Sequence, residues 1–219
     1  LSGPLQNDPE LIKLQEEGVP IILLGQMANA DIPFVDVNAE LGSEVAVNHL
    51  IACGHKRIGM ITNAKLAYSS AQQRRSGYLN ALKKAGLVID EKLIKEGDFT
   101  PASGFNAMKD LLSLSPIPSA VFVASDVVAV GAIQAIKQSG LSIPDNIEII
   151  GFDDVPMAEY FDPPLSTVHL PAFELGRVAG EQLIKMISNK EPLEPSKVLL
   201  ETELILREST TNHISVKVK

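Results

Sequence analysis

Short, continuous apolar runs recur along this chain, and each is followed by a segment with helical periodicity. The clearest are "RIGMIT" at 57–62, "AVFVA" at 120–124 and "IEIIGF" at 147–152. Most positions in these runs are apolar, whereas a strand with one wet face would alternate apolar and polar residues. Such strands belong to parallel sheets that helices cover on both faces. The sequence therefore predicts an α/β fold built from doubly wound parallel sheets.

The other predicted elements continue this alternation of strands and helices. A further apolar run, "PIILLG", occupies 20–25, and weaker strands are expected at 93–97 and 198–206. Helices are predicted at 9–18, 41–53, 70–85, 103–112, 127–138 and 173–187. Glycine closes several of them, and Asp8, Pro9 and Glu10 form a typical helix start. The order favours consecutive strand–helix units over a bundle or a sandwich.

Composition excludes several classes of function. The 219 residues carry a net charge of −8, so this chain alone is expected to bind nucleic acid poorly. A single cysteine, Cys53, excludes an internal disulfide, and no apolar stretch reaches the ~18 residues of a membrane helix. The four histidines are too scattered for a metal site. No phosphate-binding loop or nucleophile elbow occurs, so we expect no cofactor and no enzyme.

Polar residues follow two of the strongest predicted strands. Asp153 and Asp154 end the run at 147–152, and Ser125 and Asp126 end the run at 120–124. Ligands of open parallel sheets bind outside the carboxyl ends of the strands, which predicts a pocket here. The alternative is helix capping, which is favoured for Asp126. For the pair of acids we expect one cap and one pocket residue.

Five stretches, in order, resemble the LacI/GalR type of bacterial transcriptional regulator. They are "VDVNAELGSEVAVNHLIACGHKRIGMI", "RRSGYLNALKKAGL", "VFVASDVVAVGAIQAIKQSGLSIPDNIEIIGFDD", "PPLSTVHLPAFELGRVAGEQL" and "LRESTT". The resemblance runs from near Gly18 to Thr210. It implies the periplasmic-binding-protein type I fold, in which two doubly wound lobes clasp a small ligand and the chain crosses the hinge three times.

The resemblance also implies where the lobes divide. Crossings are expected near 35–38, 165–168 and 190–195. The N-terminal lobe would hold 1–38 and 166–190, and the C-terminal lobe would hold 39–165 and 191–219. The family's helix-turn-helix headpiece and the first part of its N-terminal lobe have no counterpart in this chain. We expect them to lie upstream of Leu1, and the N-terminal lobe is therefore predicted to be incomplete.

By the same resemblance, the effector would contact a small set of residues. Asp153 matches the family's effector-binding acid, which leaves Asp154 as the cap. Arg74 matches its arginine, Phe99 its aromatic residue, and Ser125 stands where asparagine is common; Asp126 is a further candidate. The alternatives are a solvated surface position for Arg74 and a core position for Phe99.

The helix at 127–136 is apolar nearly all round. Either other parts of the chain cover it or a second subunit does. The resemblance favours a homodimer interface, and we predict that it includes Val128, Ala132, Ile133 and Ile136.

The predicted function is the effector-binding and dimerisation region of a cytoplasmic regulator. Its ligand would be a sugar, sugar phosphate or purine, and operator DNA would be bound through the absent headpiece. The alternative is a periplasmic sugar-binding protein of the same fold.

Overall fold

The computed structural model of the chain describes residues 3–27, 30–188 and 196–211. The helices there are α1 (Pro9–Glu16), α2 (Ala39–Ala52), α3 (Ser69–Lys84), α4 (Pro101–Leu112), α5 (Asp126–Gln138) and α6 (Ala172–Ser188). The strands are β1 (Leu23–Leu24), β2 (Phe34–Val37), β3 (Ile58–Ile61), β4 (Ile94–Lys95), β5 (Ala120–Val123), β6 (Glu148–Asp153), β7 (Ser166–His169), β8 (Lys197–Leu200) and β9 (Glu203–Ile205). None of the helices in these ranges is long and apolar enough to cross a membrane.

Six strands form what we call the large sheet, in the order β4-β3-β5-β6-β7-β9. All neighbours are parallel except β7 and β9. Because side chains of a strand alternate between faces, Phe122 of β5 joins the core beneath α2 and α3, while Val121 and Val123 join the core beneath α4 and α5. The predicted α/β fold with doubly wound parallel strands is confirmed.

Three parallel strands form the small sheet, in the order β1-β2-β8. The apolar run at 20–25 contributes only the two-residue β1, whose Leu23 packs in a cluster with Leu11, Met27 and Ile32. Helix α6 packs beside β1 and β2. Strand β2 was predicted only as a hinge crossing, yet all four of its residues pair with β8.

The chain passes between the two sheets after Val37, after His169 and after Leu200. The first passage lies inside the predicted crossing at 35–38. The second falls later than predicted, because 166–169 pair with β6 in the large sheet. The predicted crossing at 190–195 lies outside the described residues. Since β8 pairs with β2, residues 197–200 belong to the small sheet, which corrects their placement in the C-terminal lobe.

Helix α5 is covered by its own chain. A side-chain carbon added at Gly131 would lie 1.7 Å from the Pro101 carbonyl oxygen, and one at Gly104 would lie 1.9 Å from that of Val128. This close approach of α4 and α5 buries the four residues predicted for the dimer interface, which are at most 7% exposed: Val128, Ala132, Ile133 and Ile136. The prediction that these side chains face a partner is therefore wrong, and the alternative of cover by the chain itself holds.

Candidate functional site

A cavity of about 300 Å³ lies at the carboxyl ends of both sheets. The large sheet and its loops contribute a wall with Asn63, Ser69, Ser70, Gln73, Arg74, Phe99, Ser125 and Asp153. The small sheet contributes Leu24, Gly25, Val35, Asp36 and Val37 to the opposite wall. The passages between the sheets add Ala39, Leu170 and Ala172. The cavity is therefore bounded by both sheets, at the edge where parallel strands place ligands.

Asp153 ends β6 and faces this cavity. One carboxylate oxygen, Oδ1, lies 3.0 Å from Nη2 of Arg74, and the other accepts a hydrogen bond from Ser125 Oγ at 3.0 Å. Its φ of 117° is unusual for a residue with a side chain, and such backbone strain occurs often at binding sites. The carboxylate is thus held in one orientation by two partners, and its contact with an effector stays a prediction.

Arg74 projects from α3 beneath the cavity, and its side chain is 8% exposed. Its Nη1 donates to the carbonyl oxygen of Ala124 at 2.6 Å. The guanidinium carbon also lies 3.9 Å from the centre of the Phe152 ring. The alternative of a solvated surface arginine is therefore wrong.

Phe99 lies on the cavity wall and is 47% exposed. Its backbone adopts a left-handed conformation, with φ of 65°, and its N–H donates to the Asn63 carbonyl at 2.8 Å. The ring meets Tyr68 edge to face at 5.3 Å between centroids. The core alternative for Phe99 is wrong, and one face of the ring is available to a ligand.

Asp126 lies beneath the site and does not line the cavity. It is fully buried, where its carboxylate accepts hydrogen bonds from the Thr167 hydroxyl at 2.7 Å and the Val155 N–H at 3.0 Å. Burial raises the pKa of this carboxyl to about 7. It is the first residue of α5 and its cap position is Ser125, so the favoured capping role is also wrong. Asp126 instead ties α5 to β7 and to the segment that follows β6.

Asp154 is not a helix cap either. Its carboxylate accepts from Arg207 Nη2 at 2.7 Å and pairs with His169 Nδ1 at 2.9 Å. Arg207 also donates to the Leu165 carbonyl at 2.8 Å. The second acid of the pair therefore anchors the segment after β9 to the large sheet. Capping failed as an explanation because each acid has a cationic partner brought from a distant part of the chain.

Sequence reasoning missed Asp36, Gln73 and Asn63 in the cavity wall. Asp36 lies in β2 between two buried valines, and its Oδ2 accepts from Gln26 Nε2 at 3.0 Å. Burial raises the pKa of Asp36, while the nearby Arg74 guanidinium lowers it. The signal was an acid at the polar position of an alternating "FVDV" stretch. Within the described ranges, no group of three or more His, Cys, Asp or Glu could hold a metal ion.

Comparison with known proteins agrees with this architecture. Residues 47–210 match the periplasmic binding protein-like domain family. The HTH-type transcriptional repressor PurR of Haemophilus influenzae (strain PittEE) is 35% identical over 193 residues, which cover 87% of this chain and 57% of that protein. The chain thus spans little more than half the length of this relative.

Two solved structures resemble the chain closely. One is the transcriptional regulator CelR–cellobiose complex, with a TM-score of 0.90 and 35% identity, covering 96% of this chain and 64% of that one. The other is a regulatory protein of the LacI family from Chloroflexus aggregans, with a TM-score of 0.87 and 35% identity, covering 97% and 76%. These similarities favour a regulator over a periplasmic sugar-binding protein. The chain therefore belongs to the periplasmic binding protein-like domain family and matches the effector-binding region of LacI-type transcriptional regulators.

Proposed function

We propose that this chain senses a small sugar or related metabolite in the cavity between its two sheets and thereby controls a transcriptional regulator in the cytoplasm. The observation that carries the proposal is the joint wall of the cavity. Asp153, Arg74 and Ser125 approach from the large sheet, and Asp36 approaches from the small sheet. The proposal assigns binding to these residues and assigns no catalytic step.

A ligand that contacts both walls would stabilise the arrangement of the sheets in which both sets of contacts are made. Such coupling requires a difference in ligand affinity between two arrangements, because equal binding shifts nothing. Asp153 would accept hydrogen bonds from adjacent hydroxyl groups, and the Phe99 ring would pack on C–H groups of a sugar ring. Operator DNA would be bound by a helix-turn-helix part that this acidic chain does not contain.

Binding calorimetry tests the proposal. The purified chain should bind at least one compound from a panel of monosaccharides, disaccharides, their phosphates and purines with millimolar or tighter affinity. A panel without any binder would contradict the sensing role.

We further propose a homodimer through a surface different from the four buried residues of α5. Val127 and Val130 on α5 are 40% exposed, and Met157 and Tyr160 on the following 3-10 helix are more exposed still. The bond from Val155 N–H to Asp126 Oδ2 fixes that segment beside the start of α5. Exposed apolar residues gathered in this way favour a protein interface.

Sedimentation of the parent chain and of Val130→Glu tests the dimer. The parent should sediment as a dimer, and the variant should dissociate because the interface would bury an unpaired charge. Val88→Glu is a control, since Val88 is exposed on the loop after α3. A monomeric parent, or equal dissociation of both variants, would exclude this interface.

A further inference from the structure

The charge of the cavity wall restricts the ligand beyond the proposed function. Among the described residues that line it, the ionisable side chains are two carboxylates, Asp36 and Asp153, and one guanidinium, Arg74. The other polar side chains on the wall are uncharged: Asn63, Ser69, Ser70, Gln73 and Ser125. The wall therefore offers hydrogen bonds from several directions but only one positive group.

That positive group is already engaged by the protein. Arg74 Nη2 lies 3.0 Å from Asp153 Oδ1, and Nη1 donates to the Ala124 carbonyl at 2.6 Å. A ligand phosphate would have to compete with Asp153 for the guanidinium. Separating this buried pair would leave the Asp153 carboxylate facing the phosphate without its main counter-charge, which is strongly unfavourable.

Asp36 adds to this barrier from the opposite wall. When Asp36 is ionised, the wall carries one more negative than positive charge. When Asp36 is protonated, Arg74 and Asp153 balance each other. Neither state leaves a surplus of positive charge for an anionic ligand.

We infer that the cavity selects an uncharged, polyhydroxylated ligand and rejects the phosphorylated form of the same compound, with Asp36 as a specificity-determining residue. This inference rests on the proposed sensing function. The uncharged side chains of the wall suit hydroxyl groups, which both donate and accept hydrogen bonds. Phe99 supplies an apolar face for the ring of such a ligand.

The test compares matched pairs by calorimetry: ribose with ribose 5-phosphate, glucose with glucose 6-phosphate, and cellobiose with its phosphate ester. The chain should bind at least one uncharged sugar more tightly than its phosphate, by on the order of tenfold to a hundredfold. If a phosphate ester binds as tightly as its parent sugar or more tightly, the inference is overturned while the sensing function stands. If no compound of either kind binds, the sensing function fails, and the inference with it.

Asp36→Asn tests the role of this residue, because an amide oxygen can still accept from Gln26. The variant should reduce the preference for the uncharged sugar by about three- to tenfold. Asp31→Asn is the matched control, since Asp31 is exposed, pairs with Lys197 at 2.9 Å and lies outside the cavity wall. A preference that survives Asp36→Asn unchanged, or that falls equally in both variants, would overturn the role of Asp36.

Discussion

Helices α5 and α6 are both rich in apolar side chains, yet the chain encloses α5 and leaves much of α6 exposed. In α5, Gly131 allows α4 to approach so closely that most apolar side chains are buried. In α6, Leu175 is buried, whereas Phe173, Ile184 and Ile187 are at least 65% exposed. The two walls of the cavity differ in the same way.

On the large-sheet wall, Asp153, Arg74 and Ser125 come from three elements and hold one another through hydrogen bonds. On the small-sheet wall, Asp36 is paired with Gln26 from the loop that follows β1. We infer that the large sheet supplies the rigid half of the site, and that the small sheet supplies the half that adapts.

The largest expected effect comes from glycines in the two helices. Gly131→Ala should lower the free energy of unfolding by about 3 kcal/mol or more, because the added carbon meets a backbone oxygen and a backbone nitrogen of α4. Gly180→Ala in α6 should raise it by about 0.5–1 kcal/mol, since no atom lies within 4 Å and alanine favours helix. Urea denaturation measures both. Similar effects at the two positions would contradict the difference in packing.

A pH titration of stability should separate buried from exposed acids. Burial raises the pKa of Asp126 to about 7, so the folded chain holds this proton more tightly than the unfolded chain. Stability should therefore fall by about 2 kcal/mol as pH rises from about 4 to about 7. Asp126→Asn should flatten this part of the curve, although it weakens one of the bonds to Thr167 and Val155. An unchanged slope in denaturation midpoints across this range would refute the assignment.

A smaller loss is expected where Asp154 anchors the segment after β9. Asp154→Asn should lower the free energy of unfolding by about 1–2 kcal/mol, because the half-buried Arg207 loses a charged partner. Asn also tolerates the left-handed φ of 53° at this position, so backbone strain does not confuse the result. Asp162→Asn, at the exposed pair with Lys137, should change stability by less than about 0.5 kcal/mol. Equal losses in thermal denaturation would argue against an anchoring role.

The sequence predicted the elements that carry a strong local signal. Strands β3, β5 and β6 were located to within about one residue, because each is a continuous apolar run bounded by polar residues. Strands β2 and β7 were missed as strands. Each has four residues with polar groups among them, and each is defined by pairing with distant strands.

Parts of the site depended on contacts that no local pattern encodes. Asp126 reaches Thr167 because Gly151 between them has no side chain; a carbon there would lie 2.1 Å from Asp126 Oδ1. The cover over α5 likewise depends on two glycines in different helices that meet in space. Asp153, Arg74, Phe99 and Ser125 were found through family resemblance, and spacing alone did not separate Asp153 from Asp154.

The most direct test of the account is a calorimetric titration of Asp153→Asn with the sugar that the parent chain binds most tightly. The substitution removes a charged acceptor at the junction of the two walls. Affinity should fall by on the order of tenfold to a hundredfold, while circular dichroism shows the parent's secondary structure. Unchanged affinity in a folded Asp153→Asn chain would show that the ligand does not use this carboxylate, and would contradict the proposed site.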